Sequence, residues 1–267
     1  MTDNMKQQIQ SFLPGDHPWQ SHICCFPALD STNDRAKLML REGAPHGTVL
    51  IADCQTGGRG RMGRSFHSPA GSGLYFSVIL RPDSPPKQWM HLTCAAAVAA
   101  CRAIENTCGL RPGIKWTNDL VFQKRKLGGI LTELSSLPDC TVAIVGIGIN
   151  ISQQEADFPP ELQNIAGSLS MFCPEIPSRA RLAAQLIIQL QKMDETLQSG
   201  KAAILEAYRE NCITLGSDVS VVQGTSVRRG HAVAIDEEGA LVVRFPEGYT
   251  ESVNSGEVSI RGMYGYV

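Results

Sequence analysis

Two runs of β-branched and apolar residues, Thr48–Cys54 (TVLIADC) and Leu74–Leu80 (LYFSVIL), bracket a segment, Gln55–Gly73, that is rich in glycine and arginine. Runs of this length predict two buried strands. A chain that buries both must present the polar segment between them as a site. Helices to cover such a sheet are equally legible. Ser31 is placed as the N-cap of a helix over 32–42, with Gly43 and Pro45 as stop signals. Gln88–Cys108 is Ala-rich and lacks Gly and Pro, which predicts a long helix lying against the sheet. Further strands are expected at Ile114–Trp116, Leu127–Leu134 and Thr141–Ile151, the last two joined by the turn-like SSLPDC. Ser178 caps a second amphipathic helix, RARLAAQLIIQLQKMDETLQ, and Lys201–Asn211 forms another before Gly216.

The character of the chain changes after Gly216. From Asp218 onward it holds short alternating segments separated by Gly, Asp and Asn, the pattern of a small β-barrel. The expected fold class is α+β, with a mixed-sheet domain over 1–214 and a small β-barrel domain over 215–267. A length of 267 residues accommodates both.

Composition excludes several classes of function. With 24 Lys plus Arg against 26 Asp plus Glu, bulk electrostatics do not favour polyanions, so anion binding must come from local clusters. The longest uninterrupted apolar run, Cys94–Cys101, is too short for a membrane span, and the N-terminus carries no secretion-signal pattern. Nine cysteines form an odd set without a CxxC pair, which points to free thiols in a reducing cytoplasm. Cys94, Cys101 and Cys108 recur at helical spacing and read as small core positions.

Four segments carry chemistry. In GGRGRMGRSF, Gly57–Phe66, the glycines Gly57, Gly58, Gly60 and Gly63 alternate with Arg59, Arg61 and Arg64. Glycines let backbone N–H groups approach a ligand, and guanidinium forks suit carboxylate or phosphate. The same loop also suits a solvated or RNA-binding surface. KWTND places Asn118 and Asp119 at a strand end, where a carboxylate orients a nucleotide or Mg²⁺, or where the pair simply makes a turn. In KLGGILTEL, Lys126 precedes a strand containing Gly128 and Gly129. In VGIGIN, Gly146 and Gly148 fall on one strand face and leave a slot, or a bulge, ahead of Asn150.

Taken in order, Ser31-Thr32-Asn33, QTGGRGRMGR from Gln55 to Arg64, KWTNDL, KLGGIL and GIGIN resemble the biotin protein ligase family over about residues 29–262. The resemblance implies a class II synthetase-like biotin/lipoate ligase domain followed by an SH3-like barrel. It also implies two steps in one site: biotin and ATP give biotinyl-5′-adenylate, and a carrier lysine then takes the acyl group.

By matching position, Ser31, Thr32, Asn33 and Gln55 would hold biotin's ureido ring, and Gly128, Gly129, Gly146 and Gly148 would make its slot. Gly58, Arg59, Gly60 and Arg61 belong to the same biotin set. Arg59, Arg61 and Lys126 would act as the catalytic charges at the carboxylate and phosphates. On the nucleotide side stand Arg61, Arg64, Phe66, Asn118, Asp119, Lys126 and Asn150, with Asp119 towards Mg²⁺ on the ATP phosphates. Phe66 replaces the family's usual adenine-stacking Trp, and Thr117 replaces a Pro whose loss is expected to loosen the approach to Asn118.

The implied cofactors are ATP and Mg²⁺, and the implied partner is a biotin carboxyl carrier protein, usually that of acetyl-CoA carboxylase. Only about 20 residues precede the catalytic region, too few for a three-helix DNA reader, so a ligase without operator binding is expected. A homodimer is left open. The alternatives are a lipoate or octanoate ligase of the same fold and a non-catalytic nucleotide- or RNA-binding regulator.

Overall fold

The computed structural model describes residues 2–82, 89, 91–138, 140–197, 199–223, 225–254 and 257–260. Its main sheet contains β1 (Ile23–Phe26), β2 (Thr48–Ala52), β3 (Gly73–Leu80), β4 (Gly113–Lys115), β5 (Asp119–Phe122), β6 (Arg125–Ser136) and β7 (Thr141–Asn150). Their order is β1-β2-β3-β7-β6-β5-β4, with β1 and β2 parallel and every other pair antiparallel.

Strand alternation sorts the core into two sides. Val49 and Ile51 of β2 join Val145 and Ile147 of β7 in the larger apolar cluster, which includes α3 (Leu92–Cys108) and α4 (Arg179–Thr196). Leu50, Ile79, Val142 and Ile144 point the other way, onto Ala36 and Leu40 of α2 (Thr32–Arg41). A run of buried alanines in α3, from Ala95 to Ala103, gives that helix little side-chain bulk. Cys94 and Cys101 are buried there, and burial pushes both thiols up to about 12, which fits core positions.

The expected elements are present with shifted ends. Ser31 caps α2 through its side chain, which accepts from the Asp34 N–H. The helix expected from Gln88 begins at Leu92, and Gln88 and Met90 lie outside the described residues. Asp139 of the SSLPDC turn lies outside them as well. Three elements had no sequence prediction: α1 (Thr2–Ser11), β1 and β5. Ile9 of α1 is fully buried in the main cluster, so the first helix belongs to the same core.

After α5 (Lys201–Asn211) come β8 (Asp218–Gln223), β9 (Ser226–Ile235), β10 (Leu241–Arg244), β11 (Thr250–Val253) and β12 (Glu257–Ile260). These pair antiparallel in the order β11-β10-β9-β8-β12, the small C-terminal β unit expected from the sequence. Ser255, Gly256, Arg261 and Gly262 of that expectation lie outside the described residues. Hydrogen bonds tie this sheet to the rest. Trp116 Nε1 donates to the Gly239 carbonyl at 3.0 Å, and Arg209 donates to the Ile235 carbonyl at 3.0 and 3.1 Å. In the described residues no helix is long and apolar enough to cross a membrane.

Candidate active site

The loop between β2 and β3, the start of α2, the β4–β5 turn and the glycine-bearing middles of β6 and β7 converge on one cavity of about 440 Å³. One end of it is built from neutral hydrogen-bonding groups. Gln55 Oε1 accepts from the Thr32 N–H at 2.8 Å and lies 3.1 Å from Thr32 Oγ1, while Gln55 Nε2 donates to Ser68 Oγ. Beneath them Ser77, fully buried in β3, sets its hydroxyl 2.7 Å from Thr32 Oγ1 and 2.6 Å from Asn33 Oδ1. Asn33 Nδ2 donates to the Leu131 carbonyl at 3.2 Å and to Glu133 Oε2 at 2.8 Å. Both amide N–H groups are therefore used, and what Asn33 has left to offer is a lone pair on Oδ1.

The other end is cationic. Arg61, Arg64, Lys115 and Lys126 line the cavity, as does Arg59 nearer Asn33, against Asp119 as the one carboxylate among the described lining residues. Lys126 Nζ lies 2.6 Å from Asp119 Oδ1, and Arg61 Nη1 donates to Asn118 Oδ1 at 3.2 Å. The Lys126 backbone is clamped as well: its N–H donates to the Ile165 carbonyl, and its carbonyl accepts from the Gly167 N–H. Asn118 is fastened despite Thr117 standing before it, because its Nδ2 donates to the Ile130 carbonyl and its carbonyl accepts from the Ile130 N–H.

Arg59 differs from the other cations. Its Nη2 lies 2.7 Å from both Asp34 Oδ1 and Glu133 Oε2, two carboxylates that do not themselves line the cavity. Glu133 also receives Lys37 at 2.7 Å. Burial pushes the Glu133 carboxyl up, but Lys37, Asn33 and Arg59 outweigh it and hold the group below its ordinary value.

The glycine slot exists and seats protein side chains. A Cβ on Gly146 would lie 2.4 Å from Asn33 Oδ1, and one on Gly148 would lie 2.6 Å from the Phe66 ring. Phe66 in turn meets Tyr75 edge-on with centroids 6.4 Å apart. The arginine loop is a short hairpin, with the Gly60 N–H donating to the Arg64 carbonyl at 2.7 Å and Met62 at φ +57° beside Gly63 at φ +75°.

Most expected site residues meet here: Ser31, Thr32, Asn33, Gln55, Arg59, Gly60, Arg61, Arg64, Phe66, Asn118, Asp119, Lys126, Gly129, Gly146 and Gly148. Three positions lie off the described lining. Gly58 packs under the Phe66 carbonyl, 2.4 Å from where its Cβ would be, and Gly128 packs against the Gly148 backbone. Asn150 is buried, donating to the Gly167 carbonyl and accepting from Gln153 Nε2. Lys115, Leu162, Ile165 and Val258 are among the wall residues that were not singled out from the sequence. Of these, Lys115 sits inside the KWTND motif already noted, whereas Leu162 and Ile165 come from irregular chain with no periodicity to read.

A mixed sheet with this glycine-lined, arginine-capped cavity, followed by a small β unit, defines a class of acyl-adenylating ligase. The chain belongs to the biotin/lipoate A/B protein ligase family, whose signature matches residues 25–150, and the biotin protein ligase C-terminal domain matches residues 214–261. It is 37% identical over 229 residues to the bifunctional ligase/repressor BirA of Bacillus subtilis, covering 85% of this chain and 70% of that protein. It is 33% identical over 236 residues to the biotin–[acetyl-CoA-carboxylase] ligase of Paracoccus denitrificans, covering 82% of this chain and 92% of that protein. The fold matches the biotin protein ligase of Aquifex aeolicus in complex with biotin and ATP, with TM-score 0.74 and 29% identity over 90% of this chain and 98% of that chain.

Proposed function

We propose that this protein activates biotin with ATP and transfers it to a lysine of a biotin carboxyl carrier protein. The polarity of the cavity carries the reading: a neutral end presenting an acceptor on Asn33 shares the cavity with Arg61, Arg64, Lys115 and Lys126. A molecule with a cyclic urea at one end and a carboxylate at the other, lying beside a triphosphate, matches that distribution. An octanoyl chain has no donor for the remaining lone pair on Asn33 Oδ1, which disfavours a lipoate or octanoate ligase.

In this reading Ser31, Thr32, Asn33 and Gln55 hold the ureido ring, with Gly129, Gly146 and Gly148 lining its slot. A biotin carboxylate oxygen attacks the α-phosphorus and pyrophosphate leaves. Lys126 and Arg61 stabilise charge on the oxygens of these two anions as they are brought together. Arg64, Phe66 and Asn118 serve the nucleotide. The carrier amine then attacks the mixed anhydride, AMP leaves, and an amide forms.

Magnesium fits as an ion carried on ATP. Asp119 is a single carboxylate beside Lys126, and the described residues hold no cluster of three His, Cys, Asp or Glu side chains able to cage a metal. Bound there with ATP, magnesium would neutralise phosphate charge, with Asp119 as the carboxylate to hold it. The division at 214/215 accords with the C-terminal domain match beginning at 214. A cytoplasmic setting accords with free cysteines throughout.

Pyrophosphate release from ATP that depends on biotin tests the first step. A nucleotide- or RNA-binding regulator would give none.

A further inference from the structure

We propose that Glu133 is a positioning residue that ties the ring-binding end of the cavity to the base of the arginine loop. The inference rests on the ligase reading for its substrate and on the geometry alone for the strap. Glu133 does not line the cavity. It lies on the α2 face of β6, and its Oε2 accepts from Asn33 Nδ2 at 2.8 Å and pairs with Arg59 Nη2 at 2.7 Å. Oε1 takes Lys37. One carboxylate therefore reaches helix α2, the ring-binding amide and the loop.

Two consequences follow from donor and acceptor accounting. An ionised carboxylate only accepts, so it admits just one orientation of the Asn33 amide, the one with Nδ2 towards β6 and Oδ1 towards Ser77 and the cavity. Exchanging Oδ1 and Nδ2 would turn an N–H towards the N–H groups of a urea. At the same time the carboxylate, together with Asp34, anchors Arg59 at the start of the hairpin. Arg59 thus acts as a strap for the loop, leaving Arg61 and Lys126 as the cations that meet the reacting oxygens.

Glu133→Gln keeps an acceptor and the side-chain shape but removes the charge, while Glu133→Ala removes both. With Glu133→Ala, KM for biotin should rise about tenfold or more, the scale of losing charge-assisted hydrogen bonds. KM for ATP should stay within about twofold, whereas a general distortion of the site would raise both together. Without any ligand, both variants should speed tryptic cleavage after Arg61 and Arg64, read by mass spectrometry. Arg59→Gln should do the same from the other side of the pair, and Arg59→Gln combined with Glu133→Gln should add little, as coupled residues do. Unchanged cleavage in Glu133→Gln and Arg59→Gln would overturn the strap. Equal rises in both KM values would overturn the positioning role. Wild-type protein that binds no biotin would instead overturn the ligase reading, and the ligand-free cleavage assay would still decide the strap.

Discussion

Lys126 Nζ lies 2.6 Å from Asp119 Oδ1, across the β5–β6 pair in which Asp119 faces Gly129. The carboxylate aims the ammonium into the cavity and contributes little to holding the fold. Both side chains keep some solvent contact, and such pairs are worth about 0–1 kcal/mol. Lys126→Ala should therefore lower biotinyl-adenylate formation by about 100- to 1000-fold, the effect of deleting one group that stabilises transition-state charge, while the melting temperature barely changes. Asp119→Asn should lose less. Single-turnover adenylate formation beside a thermal melt checks both, and near-normal activity of Lys126→Ala would remove it from the chemistry.

The two glycines of β7 should fail differently. Asn33, which the Cβ of Gly146→Ala would strike, is pinned by three hydrogen bonds and cannot step aside. That variant should lose about 1–3 kcal/mol of stability and most of its biotin affinity. Gly148→Ala meets the half-buried Phe66 ring on the nucleotide side of the site, so the damage should appear in KM for ATP with less effect on folding. Substrate KM values and melts of the two variants separate these outcomes.

Ordering a loop rich in glycine costs conformational entropy, and a mixed anhydride needs protection from water. The hairpin Gly57–Gly63 should accordingly close over the adenylate. Biotin with ATP should slow tryptic cleavage after Arg61 and Arg64 in the wild-type protein by about tenfold or more, as a population shift of this size requires differential binding. Equal rates with and without the ligands would argue against closure.

Two histidines set the expected acid response. Burial lowers the affinity of both His17 and His91 for a proton, against the opposing pull of Asp16 on the first and the Leu197 carbonyl on the second. Each is stable in the fold as the neutral ring: His17 Nδ1 accepts from the Trp19 N–H, and His91 Nε2 bonds the Leu197 carbonyl. A lowered folded-state value contributes stability that is complete above pH 6.5, the ordinary histidine value, and is lost as pH falls below it. Melts at pH 7.5 and 5.5 should show this loss, and His91→Gln should reduce the difference.

Much of the site was legible because its signals are local. The Ser31 cap, the alternation that puts Gly146 and Gly148 on one face, and the arginine loop between two strands each depend on neighbours in sequence. What the sequence hid depends on contacts across it. Glu133 meets Asn33 over a separation of 100 residues, and the clamp on Lys126 comes from irregular chain around Ile165 and Gly167. Short strands such as β1 and β5 carry too few residues for a periodic signal. The positive charge of the arginine loop was plain from its residues. That Arg59 spends its charge on Asp34 and Glu133 was not, since a charge pattern shows which groups are present and not which of them pair.

The most direct test supplies the protein with MgATP, a carboxyl-carrier domain, and either labelled biotin or labelled octanoate. Label from biotin should appear on one carrier lysine with AMP released in equal amount, and octanoate should give none. Label from octanoate, or adenylate that never reaches the carrier, would contradict the assignment.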